Sequence, residues 1–252
     1  MRCRFILSRN AAVDYSLRVT ATPLPYGLSG REQAQRYFDW IVGLFGAALS
    51  GHVLDHGAGT GALSARLSER CERVVALEPE LRLFEQLQER FRAQPGVSCM
   101  HGTIETYLAR AGAGSLDAVL SSNVLEHLPN DVDCMRLIRE SLRPGGAFAV
   151  YVPARAELFG TLDESVGHLR RYSRGLLRER LEQAGFFVQW VRYANLAGAL
   201  PWWVTGRVLK RPSIPGSRLG LFDRLVLPIS TRIEALCPVP YGLNVAALAR
   251  RL

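Results

Sequence analysis

Val53-Leu54-Asp55-His56-Gly57-Ala58-Gly59-Thr60-Gly61 places three glycines between an apolar run that ends on an acid and a segment patterned as a helix. Glycines there permit a tight turn and let a ligand approach the backbone, where a helix N-terminus offers free N–H groups. His52 to Asp55 reads as a short strand and Thr60 to Arg70 as the helix after it. The next apolar run, Arg73 to Glu78, ends on a second acid and is followed by Pro79. A carboxylate at that strand end, about 20 residues beyond the loop, can accept two hydrogen bonds from a ribose diol. The loop, its strand-turn-helix setting and Glu78 together predict a site for an adenosine cofactor.

Outward from the loop the chain keeps alternating. Glu80 to Arg92 reads as a helix, Val97 to His101 and Leu116 to Ser121 as strands, and Glu105 to Arg110 as a brief helix between them. Asp131 to Leu142 is patterned as a helix, with Met135, Ile138 and Leu142 on one face, and Arg143-Pro144-Gly145-Gly146 ends it before the strand Ala147 to Val152. Ser173 to Ala184 adds a helix stopped by Gly185, Phe186 to Tyr193 a strand, and Leu243 to Ala249 a last strand. Strands and helices alternating in this way call for a parallel sheet with helices on both faces, because crossovers are right-handed. The predicted fold is therefore α/β, a Rossmann-like, doubly wound, mostly parallel seven-stranded sheet with a helical insertion before the last strand. Ligands in such sheets bind at the carboxyl ends of the strands.

At 252 residues and 48% hydrophobic, the chain suits one large domain, since domains usually run about 50 to 250 residues. The expected division is an extension over 1–28, an N-terminal helix over 29–50, a cofactor-binding core over 51–194, a helical cap over 195–241 and the last strand over 242–252. Ser29-Gly30-Arg31-Glu32 is a capping-box pattern for that first helix, and Phe38, Ile41, Phe45 and Leu49 recur at helical spacing behind it. Pro201, Pro212, Pro215, Pro228, Pro238 and Pro240 interrupt the cap, which holds two apolar helical pieces.

The five cysteines are scattered, with no C-x-x-C spacing, so neither a disulfide framework nor a zinc knuckle is indicated and a reducing cytoplasm is the expected setting. The first residues lack the apolar stretch and small-residue cleavage site of a signal peptide, and no segment reaches the roughly 18 apolar residues of a membrane span. The formal charge of +8 comes almost wholly from arginine, Lys210 being the single lysine. No basic run of five residues occurs, so specific nucleic-acid binding is not expected.

Nicotinamide enzymes use a similar loop, usually G-x-G-x-x-G, which seats a pyrophosphate on the helix N-terminus. Here the spacing is G-x-G-x-G with Asp55 two positions before the first glycine, where an anion would repel pyrophosphate and would suit the ammonium of a methionine moiety. The stretch resembles the first motif of the class I S-adenosylmethionine-dependent methyltransferases. The resemblance continues through Leu116 to Pro129, similar to that superfamily's fourth-strand motif, and Leu142 to Gly146, similar to the turn before its fifth strand, and it covers residues 51 to about 190. It implies S-adenosylmethionine as cofactor, held by Asp55, Gly57, Ala58, Gly59 and Gly61 around the methionine part, Glu78 and Pro79 at the ribose, Thr103 and Ile104 at the adenine edge, and Asn123 near the sulfonium. Many relatives carry an aspartate where Thr103 stands, so that contact would rest on backbone N–H and the Thr103 hydroxyl.

Some relatives, ubiquinone-pathway and small-RNA methyltransferases among them, bind a divalent cation through E-x-x-E-H at the place of Asn123-x-x-Glu126-His127. Asn123 removes a charged oxygen that a hard cation wants, so no metal is expected. His127 is a candidate general base, since its ordinary pKa lies near neutrality; the competing reading is that Glu126 and His127 cap the next helix and line the pocket floor. Asp163-Glu-Ser-Val-Gly-His168-Leu-Arg170-Arg171-Tyr172 resembles the G-H-x-R-R-Y loop of a bacterial branch of these enzymes. It could bind an anionic or sugar-like acceptor, or its arginines could pair with Asp163 or Glu164 to order a lid. His127, His168 and Tyr172 are the candidate catalytic residues, expected to border the acceptor pocket. In the cap, Trp202-Trp203 beside Arg207, Lys210 and Arg211 suits either a hydrophobic lid, the favoured reading, or a peripheral contact with the inner face of a membrane. The implied reaction is O- or N-methylation of a small molecule, lipid-linked and glycosidic acceptors included; the alternatives are an RNA methyltransferase and a non-catalytic binder of the cofactor.

Overall fold

The structure is a computed structural model that describes residues 34–237 and 239–252. The 1–28 extension, the Ser29 to Glu32 capping box and Pro238 lie outside the described residues. Seven strands form one sheet in the order β3-β2-β1-β4-β5-β7-β6: β1 His52–His56, β2 Arg73–Glu78, β3 Val97–His101, β4 Leu116–Ser122, β5 Leu142–Pro153, β6 Phe187–Ala194 and β7 Asn244–Arg250. β1 to β5 pair in parallel, and β7 runs antiparallel between β5 and β6. This is the expected mostly parallel α/β sheet.

Alternation along each strand sorts side chains between two cores. Leu54, Leu77, Val119, Phe148 and Val245 face one helical layer, whereas Val53, Val74, Ala76, Leu120 and Ala149 face the other. The first layer is α4 Ile104–Ala111, α5 Asp131–Ser141 and α7 Arg174–Gln183, packed through Ile104, Ile138 and Leu177. The second is α1 Gln35–Phe45, α2 Ala62–Ser68 and α3 Leu81–Phe91, packed through Ile41, Leu67 and Leu87. A short helix α6, Thr161–Val166, follows β5, and the cap consists of α8 Leu196–Trp203 and of α9 Gly216–Leu221 running through a π-helical turn into α10 Leu227–Leu236.

Boundaries move for identifiable reasons. The helix after the glycine loop begins at Ala62 rather than Thr60, because Gly59 and Gly61 have φ of 58° and 82° and cannot continue a right-handed helix. β5 begins at Leu142, not Ala147, because the turn Arg143 to Gly146 is itself paired: Gly145 N–H donates to Arg251 (2.7 Å) and Arg251 N–H to Gly146 (3.0 Å). α1 stops at Phe45, where Gly46 turns to φ 51°. No helix among the described residues is long and apolar enough to cross a membrane.

Candidate active site

The glycine loop joins β1 to α2 at the carboxyl end of the sheet. Gly57 has φ 75°, and a Cβ there would lie 2.4 Å from Val124 Cγ2; at Gly61 it would meet the Phe91 ring at 2.4 Å. Both positions therefore require glycine. Gly57 and Ala58 N–H groups donate to the Leu77 carbonyl, which lashes the loop to β2. Glu78, at the end of β2 and buried, accepts from Gly59 N–H (2.8 Å) through Oε2 and from Glu80 N–H (2.9 Å) through Oε1. An ionised carboxylate has about four lone-pair sites, so two remain for a ribose diol. Burial raises the Glu78 pKa, and the two N–H donors oppose that rise.

Asp55 lies beneath the loop, 1% exposed, with Oδ2 accepting the Ser64 hydroxyl at 2.6 Å. Burial pushes its pKa up to about 6, against the Ser64 hydrogen bond. A cationic ligand nearby would favour the ionised form. Asn123, just past β4, holds φ 54°, a left-handed conformation that asparagine tolerates and that recurs at functional sites; its N–H donates to Tyr151 O at 2.8 Å. Thr103 caps α4 with Ile104 behind it; the Ile104 side chain is fully buried in the core, so only its backbone can meet a ligand. Pro79 is exposed, and its carbonyl accepts from His101 Nε2 at 3.0 Å. The positive-φ loop, a strand-end carboxylate with acceptor capacity to spare and a buried acid suit the adenosine, ribose and ammonium groups of S-adenosylmethionine.

Beside Asn123, a 3₁₀ turn over Leu125–His127 and the loop after α6 bring Glu126, His127 and His168 together. The two imidazole rings meet edge to face at 4.9 Å. Each has Nδ1 engaged, His168 with Asp163 Oδ1 (2.7 Å) and His127 with the Gly167 carbonyl (3.3 Å). Glu126 is fully buried, its Oε1 lies 3.6 Å from His168 Nε2, and neither of its oxygens has a hydrogen-bond partner. Burial pushes its pKa up to about 8. One ligand atom from each of the three lies within 4.8 Å of the others, a donor set that could hold a metal ion. The case against a metal rested on Asn123 alone; His168 supplies a donor that the Asn123-to-His127 spacing does not reveal.

Tyr172 is a correction. It is fully buried, and its hydroxyl is committed to Asp131 Oδ2 at 2.8 Å, so the phenol is not presented to an acceptor. The arginines are likewise engaged within the protein. Arg171 makes a buried bidentate pair with Asp163 (2.8 and 3.1 Å), and Arg170 donates to the Leu128 and Pro129 carbonyls (2.6 and 3.0 Å). The lid-ordering reading of this loop is the one the geometry supports. Asp163 was not among the predicted site residues, yet it also accepts from Trp202 Nε1 at 3.3 Å and so ties the cap to His168. The pair of acids Asp163-Glu164 preceding a histidine and two arginines is the available signal.

Residues 54–150 match the methyltransferase domain family. A probable S-adenosylmethionine-dependent methyltransferase of Mycolicibacterium smegmatis is 31% identical over 140 residues, which are 54% of this chain and 52% of that one. The chain thus spans about half the length of the curated relatives it matches. Among solved structures, an S-adenosylmethionine-dependent methyltransferase from Mesorhizobium loti superposes with a TM-score of 0.56 at 15% identity, covering 88% of this chain and 100% of that one. The [4+2]-cyclase SpnF superposes at 0.59 with 18% identity, covering 86% and 80%. At such identities these two establish the fold alone.

Proposed function

We propose, for a chain whose residues 54–150 match the methyltransferase domain family, that it binds S-adenosylmethionine and methylates an oxygen or nitrogen of a small molecule, lipid-linked or glycosidic acceptors included. The observation that carries this reading is the adjacency of two sites at one end of the sheet. Gly57, in the cofactor loop, abuts Val124, and Val124 leads directly into the turn that holds Glu126 and His127. The sulfonium supplies the driving force when the cofactor is bound, so the protein has mainly to align the acceptor and exclude water. Asp55 and Glu78 hold the ammonium and the ribose. His127, with Nδ1 directed at the Gly167 carbonyl, presents Nε2 as the basic nitrogen that takes the acceptor's proton. His168, fixed by Asp163, sets the position of that ring and lines the pocket with Glu126.

The test has two arms. Calorimetry with S-adenosylmethionine and with NAD should show binding of the first alone, and Gly57→Val should abolish it through collision with Val124. Incubating the protein and methyl-labelled cofactor with an extract of its own cells should place label in the small-molecule or lipid fraction. Label confined to RNA would overturn the acceptor reading, and cofactor binding with label in no fraction would mark a non-catalytic binder.

A further inference from the structure

Eleven of the fifteen large apolar side chains exposed among the described residues lie between Leu196 and Leu236, within the cap. Their spacing is regular. Leu221, Leu225, Ile229, Ile233 and Leu236 recur every three or four residues along α9 and α10, which places them on one stripe. Leu225 is 60% exposed, Ile229 62% and Leu236 83%. Leu196, on α8, joins Leu225, Ile229 and Ile233 in lining an apolar groove of about 300 Å³. Isolated exposed leucines need no explanation, but a contiguous apolar face rimmed by polar groups marks a contact surface.

Charge decides what the surface contacts. All six cations of the segment, Arg207, Lys210, Arg211, Arg218, Arg224 and Arg232, are exposed. Both of its acids are turned inward: Asp223 accepts from Arg36 and Tyr37 N–H groups (3.4 and 2.9 Å), and Glu234 from Asn195 and Leu196 N–H groups (3.0 Å each) and the Ser230 hydroxyl (2.9 Å). The exposed charges of the segment are therefore all positive. A second copy docked through the same patch would bring like cations together, since a two-fold interface is self-complementary. An anionic bilayer offers the opposite charge and an apolar interior.

We propose that α8, α9 and α10 dock this protein on an anionic phospholipid surface, with the apolar stripe at the acyl boundary and the six cations at the headgroups. Trp203 is exposed on the outer side of α8, while its neighbour Trp202 reaches inward to Asp163 beside His168. Docking in this way sets the carboxyl end of the sheet next to the interface. It deepens the acceptor reading above by naming a lipid-borne acceptor, and that consequence alone rests on it.

The test is sedimentation of the full chain with vesicles of equal parts phosphatidylcholine and phosphatidylglycerol, and with phosphatidylcholine alone. The protein should pellet with the anionic vesicles, remain in solution with the neutral ones, and be released by salt. Leu225→Asp combined with Ile229→Asp should abolish pelleting, and Arg224→Glu combined with Arg232→Glu should weaken it at least 25-fold, roughly fivefold for each cation lost. Both pairs are exposed, so melting temperature and calorimetric affinity for S-adenosylmethionine should be unchanged, and vesicle binding is read without turnover. Wild-type protein that stays in solution with anionic vesicles overturns the proposal; a dimer that Ile229→Asp dissociates would then assign the face to a second copy. Unaltered pelleting of the aspartate variant overturns it equally.

Discussion

Replacing Glu78 separates the ribose contact proposed for this carboxylate from the loop contacts it makes. If Glu78 holds the ribose as proposed, Glu78→Ala should cost about 2 to 4 kcal/mol of cofactor affinity, or about 30- to 1,000-fold in Kd. The same change leaves Gly59 and Glu80 N–H groups without the oxygens that accept them at 2.8 and 2.9 Å. Each orphaned donor costs about 1 to 3 kcal/mol, offset in part by relief of a buried carboxylate, so a net loss of about 2 kcal/mol and a fall in Tm of about 4 to 8 °C are expected. Glu80→Ala is the informative contrast because Glu80 is the N-cap of α3, accepting from Arg82 and Leu83 N–H groups at 3.2 and 2.8 Å. It should lose about 1 kcal/mol of stability while the Kd stays within about twofold. Calorimetric titration with S-adenosylhomocysteine and thermal melts of both variants measure the two effects. Equal losses of affinity would refute the assignment of the ribose to Glu78.

Asp55 titrates near pH 6 in the free protein. The ammonium of the cofactor favours its ionised form, so affinity should be full above that pH and fall by up to about tenfold per unit below it; Ser64→Ala, which removes a hydrogen bond that lowers this pKa, should move the midpoint upward, and a Kd flat from pH 5 to 8 would contradict the role. Asp163→Asn breaks the buried pair with Arg171 and weakens the contacts to His168 and Trp202; a loss of about 3 to 5 kcal/mol is expected, read as a drop in Tm with cofactor affinity preserved at low temperature. Trp202→Ala should impair acceptor turnover while leaving cofactor Kd nearly unchanged, and an equal loss of both would place Trp202 at the cofactor.

The sheet and the elements around the glycine loop were legible because their signals are backbone signals. Three glycines at fixed spacing demand positive φ, and the structure gives Gly57, Gly59 and Gly61 φ of 75°, 58° and 82°. Short apolar runs bounded by turn residues specify buried parallel strands whichever neighbours they acquire, which is why β1 to β4 lie close to where the pattern places them. Arg143-Pro-Gly-Gly146 has the composition of a turn, so the pattern starts β5 too late; the pairing of Leu142 with Leu116 and of the turn with Arg251, far along the chain, makes it part of the sheet.

The loop from Asp163 to Tyr172 resisted the same treatment, and the reason is arithmetic over donors and acceptors. A histidine, two arginines and a tyrosine look like a binding surface when counted as residue types. Two buried acids take up most of that capacity. Asp163 accepts from Arg171, His168, Trp202 and Gly160 N–H, and Asp131 accepts from Tyr172 and pairs with Arg170 and Arg180. A buried carboxylate left without such partners would be costly, so the cations are drawn inward rather than offered to a ligand. Glu126 is the exception: its carboxyl is as buried as those of Asp131 and Asp163, yet both oxygens lack a hydrogen-bond partner, and it stands against two histidines in ring contact. Polar capacity left unspent beside the glycine loop, and not the number of polar residues in a motif, is what supports the acceptor site proposed above.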